Sequence, residues 1–86
     1  MEEQKIKQDI CIGTNIRAIR QAKKIGQTEL VGLLQLEGIS ITREALVKIE
    51  RGTQHIQASQ LRAIKNALGT TYDELLDRRS PLEPTS

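Results

Sequence analysis

Arg43, Glu44, Val47, Lys48 and Arg51 fall along one side of a helix when residues 43–51 are wound at about 100° per residue, and Ala45, Leu46 and Ile49 fall along the other. A helix buried on one side that offers guanidinium, carboxylate, methyl and ammonium groups on the other carries what the base-pair edges of a major groove require. Arg43 suits the O6 and N7 acceptors of guanine, Glu44 the N4 donor of cytosine and Val47 the methyl of thymine, while Lys48 suits either guanine or a phosphate. The same pattern describes an amphipathic helix with a solvated charged face, in which Glu44 merely complements the helix dipole. Pattern alone leaves both readings open.

Such a helix needs a scaffold, and the rest of the chain supplies the signals for one. Asp9 is a suitable N-cap for a first helix reaching about Lys24, with Ile12, Ile16 and Ile19 as its buried stripe. Gly26 breaks the chain, and Gln27 or Thr28 opens a second helix whose Leu30, Val31, Leu33 and Leu34 face inward until Gly38 supplies a left-handed stop. Thr42 is the expected N-cap of helix 3, and Gly52 ends it. After a polar loop around Ile56, a fourth helix over residues 58–68 turns Leu61, Ile64 and Leu68 inward and stops at Gly69. Thr71 and Glu74 have the spacing of a reciprocal capping box, which opens a short fifth helix through Leu75 and Leu76. Residues 1–8 read as a flexible N-terminus, 9–78 as one domain, and 79–86, with two prolines, as a disordered tail.

Composition narrows the class. Eighty-six residues make one domain with a modest core, and Tyr72 is the only aromatic, so that core is aliphatic. Short helical patterns separated by glycines predict an all-α bundle. The single cysteine, Cys11, excludes an internal disulfide and a multi-cysteine zinc site and fits a reducing cytoplasm. Cys11 itself reads as a small packing residue or as a redox sensor at the start of helix 1. No run approaches the roughly 18 apolar residues of a membrane helix, and the first ten residues are too polar for a signal peptide. The net charge of +2 hides an asymmetry, since residues 10–69 hold nine basic against four acidic side chains and the flanks four against seven. A basic centre between acidic ends is compatible with a nucleic-acid partner. No Ser/His/Asp set, paired carboxylates or Gly-rich phosphate loop is visible, so the chain reads as non-enzymatic, with no metal and no cofactor. His55, the lone histidine, reads as a solvated loop residue.

Residues 27–52, QTELVGLLQLEGISITREALVKIERG, resemble the helix-turn-helix of the Cro and phage-repressor (Xre) family. The marks are Gln27 opening helix 2, Leu30, the run Lys48-Ile49-Glu50-Arg51-Gly52, then Ala67-Leu68-Gly69 and Asp73-Glu74-Leu75-Leu76. The likeness spans roughly residues 10–77, and its force lies in the order of several short marks rather than in any single one. It implies a compact five-helix, lambda-repressor-like bundle that binds double-stranded DNA. It places base contacts at Arg43, Glu44, Val47 and Lys48, and phosphate contacts at Gln27, Thr28, Arg51, Thr53 and Gln54. For Thr28, plain N-capping is an equal alternative. The resemblance also implies a structural ion pair between Arg20, late in helix 1, and Glu50, near the end of helix 3.

Two departures stand out. Val31-Gly32 replaces a small alanine after the leucine, and Leu30 to Glu50 exceeds the family's spacing by about five residues, against the three- or four-residue turn of an ordinary helix-turn-helix. The extra length lies in residues 36–41, where Ile39 and Ile41 either pack back onto the core or lengthen helix 2 by a turn. The functional expectation is a transcriptional regulator, a repressor, acting as a homodimer on an inverted-repeat operator and pairing through Tyr72, Leu75 and Leu76. The alternative is an antitoxin-like or adaptor module that uses this end and Leu82 to hold another protein.

Overall fold

The computed structural model describes residues 12–76, which form five helices and no strand: α1 (Ile12–Ala22), α2 (Gln27–Leu36), α3 (Arg43–Arg51), α4 (Ala58–Leu68) and α5 (Tyr72–Leu76). Readings that rest on Asp9, Cys11, Leu82, the flexible N-terminus and the disordered tail lie outside the described residues. The five-helix, all-α architecture expected from the sequence is the one observed. Ile16, Leu30, Leu34, Leu46, Ile49, Ala63, Ile64, Leu68 and Leu75 form one aliphatic core to which every helix contributes. Helix α1 packs on α3, α4 and α5, and α2 packs on α3 and α4. Helix α3 is thus held from two sides, by α1 and by α2.

The helix ends show how local chemistry sets these positions. Thr42 Oγ1 accepts the Ala45 N–H at 3.0 Å, so the first turn of α3 starts capped. Gly38, Gly52 and Gly69 all adopt left-handed conformations just beyond α2, α3 and α4. The end of α1 differs from expectation. It stops at Ala22, and the left-handed residue is Lys24 (φ 61°), while Gly26 is an extended N-cap of α2. A non-glycine residue there costs about 1 kcal/mol. The Ile25 N–H to Arg20 carbonyl bond of 3.0 Å and the packing of Ile25 against the core offset that cost.

The capping box at α5 is only half formed. Glu74 N–H donates to Thr71 Oγ1 at 3.1 Å, but the Glu74 carboxylate accepts from the Thr70 hydroxyl instead of reaching back to Thr71. A reaching-back contact unforeseen from the sequence occurs at α4, where Gln60 Oε1 accepts the Gln57 N–H at 2.9 Å.

The long connection resolves as packing, not as added helix. Ile39 N–H bonds to the Leu34 carbonyl at 2.9 Å, and Ile39 and Ile41 both lie half-buried against the core. These two half-buried isoleucines hold residues 37–42 against the core, so α3 does not hang from a loose tether. Leu75 is fully buried, whereas Tyr72 and Leu76 remain exposed. The expectation that Leu75 belongs to a pairing surface is therefore corrected: the core takes it. Asn15 is buried in the α1 stripe and donates from Nδ2 to the Leu75 carbonyl at 2.8 Å, tying α1 to α5.

Candidate nucleic-acid interface

Three contacts fix the orientation of α3. Leu46 and Ile49 enter the core, which turns the opposite side of the helix outward. Gly13 of α1 lies against the end of α3 so closely that a Cβ there would stand 2.1 Å from the Ile49 carbonyl oxygen and 2.8 Å from that of Glu50. Finally, the Arg20 guanidinium meets the Glu50 carboxylate with two bonds, Nε to Oε2 at 2.8 Å and Nη2 to Oε1 at 3.0 Å. Its remaining arm, Nη1, donates to the Ile25 carbonyl at 2.9 Å, and Gln27 Nε2 donates to Glu50 Oε1 at 3.1 Å. The buried Arg20–Glu50 pair therefore locks together the end of α1, the α1–α2 turn, the start of α2 and the end of α3. A fork of this kind is the strong form of a charged hydrogen bond, and both residues are only 6% exposed.

With α3 so held, Arg43, Glu44 and Lys48 are exposed and Val47 is half-buried along the outer face. The face divides. Arg43, Val47 and Arg51, spaced four residues apart, line an open groove of about 690 Å³ whose other wall is α1 with Thr14, Arg17 and Gln21. Glu44 and Lys48 do not line that groove. Gln27 and the buried Arg20–Glu50 pair also lie in its lining.

The residues expected at phosphates are not equally placed. Gln27 is half-buried and bonded to Glu50, so its side chain is already oriented at the start of α2, where backbone N–H groups face outward. Thr28 and Arg51 are exposed. Thr53 directs both its N–H (2.9 Å) and its hydroxyl (3.3 Å) to the Lys48 carbonyl, so the backbone N–H is committed to the end of α3 and the exposed hydroxyl must turn away from that carbonyl to meet a phosphate. Gln54 lines a separate, smaller hollow with His55, Ile12 and Gly13 and is not brought together with the groove residues.

Gly13, Arg17 and Asn15 also shape the site, and each leaves a signal in the sequence. A glycine inside a helix is a signal of close approach by a neighbour. Arg17 stands three residues before Arg20, hence on the same side of α1. Asn15 interrupts the isoleucine stripe at a position the helical period buries. Among the described residues no three His, Cys, Asp or Glu side chains gather as metal ligands would, and no helix is long and apolar enough to cross a membrane.

This arrangement is shared with a solved structure. The high-resolution crystal structure of the restriction-modification controller protein C.AhdI from Aeromonas hydrophila superposes with a TM-score of 0.69 at 23% identity, covering 80% of this chain and 97% of that one. The two chains share one fold. It is the fold that the resemblance to Cro and phage repressors implied, with α2 and α3 as the helix-turn-helix. No family model and no curated protein sequence matches the chain.

Proposed function

We propose that the protein is a sequence-specific double-stranded DNA-binding regulator of transcription, a repressor, that works in the cytoplasm and carries no catalytic activity. The observation that carries this reading is the outer face of α3: Arg43, Glu44 and Lys48 exposed together on a helix whose position is fixed by a buried bidentate ion pair. A charged face needed only for solubility requires no such fixation, since its ions are equally well hydrated in any orientation. Base reading does require it, because a bidentate contact tolerates little displacement. Within this reading Arg43 and Glu44 meet bases at the first turn, Val47 a thymine methyl, and Lys48 a base or phosphate one turn later. Gln27, Thr28 and Arg51 hold the backbone. Thr53 does so once its hydroxyl turns from the Lys48 carbonyl, and Gln54 does so from outside the α1–α3 groove.

One such domain covers few base pairs, so the active species is a homodimer on an inverted repeat. Tyr72, 40% exposed, and Leu76, 38% exposed, are the apolar side chains of α5 that remain for pairing once Leu75 is assigned to the core. The same two residues would serve an adaptor or antitoxin-like module, which the α3 face does not call for. Selection from a pool of random duplexes separates the two. The expected product is a two-fold symmetric site with half-site centres about 34 Å apart. Recovery of no enriched sequence would favour the adaptor, and sedimentation as a monomer both free and on the selected duplex would remove the dimer.

A further inference from the structure

A helix seated in a major groove about 12 Å wide has a sugar-phosphate backbone on each flank. Beyond the close packing at Gly13, the flank of α3 that faces α1 opens into a groove, and besides the paired Arg20 three guanidinium groups line it: Arg17 from α1, Arg43 and Arg51 from α3. Among the described residues none of the three is engaged by a hydrogen bond or an ion pair, and the one carboxylate in the lining, Glu50, is already held by Arg20 and Gln27. The groove is therefore cationic, open and lined by donors, with Thr14 and Gln21 adding neutral ones on the α1 wall. We infer that this groove receives the DNA strand flanking the recognition helix, with Arg17 as a phosphate contact outside the helix-turn-helix itself. The inference rests on the DNA-binding reading above. It adds that α1, besides scaffolding α3, grips the nucleic acid directly, and that Arg43 stands between a backbone to one side and base edges to the other, whereas Glu44 and Lys48 face away from that strand.

The test is the salt dependence of binding by the full chain to a fluorescent duplex of mixed sequence, followed by anisotropy over a series of KCl concentrations. Arg17→Ala is expected to bind several-fold more weakly at low salt and to lower the slope of log affinity against log salt by about one, the signature of one lost phosphate contact. Arg17→Lys should keep the wild-type slope, because a point charge still neutralises a phosphate. Arg62→Ala, which removes an exposed charge from α4 outside the groove, should leave the slope unchanged. If Arg17→Ala and Arg62→Ala behave alike while the wild type shows a steep slope, the groove assignment is overturned and DNA binding stands. A wild type with no salt dependence overturns both.

Discussion

Glu50→Ala is expected to unfold a large part of the population at temperatures where the wild type is fully folded. The substitution strips the Arg20 guanidinium of two bonds in a site that is only 6% exposed, leaving a buried cation with the Ile25 carbonyl alone. Breaking a buried pair in this way costs about 3–5 kcal/mol, a large share of the ~5–10 kcal/mol that holds a small domain folded. Arg20→Ala should cost a similar amount, because Glu50 then keeps only the 3.1 Å bond from Gln27, and the Ile25 carbonyl loses its side-chain donor as well. Removing both charges together should cost clearly less than the sum, since neither variant's unpaired ion survives in the double mutant. Urea melts of the three variants measure this. Additive losses below about 0.5 kcal/mol each would show the pair to be ornamental.

Gly13→Ala sets two effects of opposite sign against each other. Alanine is the better helix former by about 1 kcal/mol and would stabilise α1 taken alone. Its Cβ, however, would lie 2.1 Å from the Ile49 carbonyl oxygen and 2.8 Å from the Glu50 carbonyl oxygen. Both obstacles are backbone atoms, so no rotamer change relieves the overlap, and α1 must move away from α3. Forced separation of packed elements costs about 3 kcal/mol, so the net expectation is a loss of about 2 kcal/mol. The displacement would also pull Arg20 from Glu50, and DNA affinity should fall even at temperatures where the variant remains helical. A Gly13→Ala protein that melts at or above the wild-type temperature would show that the close approach does not matter.

The helices were legible because their signals are local. Thr42 as a cap, and glycines at 38, 52 and 69 in left-handed conformations, are decisions taken within a few residues, and the aliphatic stripes follow from the helical period. The end of α1 was misread for the converse reason. Gly26 is the residue type that stops helices, yet the tertiary contacts of Ile25 and Arg20 place the stop at Lys24, a residue with no such preference. Leu75 likewise reads as surface beside its exposed neighbours Tyr72 and Leu76, and the packing of α1 on α5 buries it.

For the site, the charged face of α3 could be read from spacing, but its division could not. That Arg43, Val47 and Arg51 share a groove with Arg17 depends on how α1 crosses α3, which is set by the contact at Gly13. The two bonds from Thr53 to the Lys48 carbonyl and the bond from Gln27 to Glu50 are equally nonlocal choices among several partners each side chain could take.

The central claim is that the exposed face of α3 reads base edges, and affinity for a selected duplex against a scrambled one, at several salt concentrations, tests it most directly. Arg43→Ala should lose about 1–3 kcal/mol on the selected duplex and relax preference at a single base position, with little change on the scrambled one. If Lys48 meets a phosphate, Lys48→Ala should weaken both duplexes alike and lower the salt slope by about one. Glu44→Ala should hold or raise affinity for scrambled DNA, because a negative charge leaves the vicinity of phosphates, while discrimination at a cytosine blurs. If all three variants bind the selected duplex as the wild type does, α3 is not the reading element.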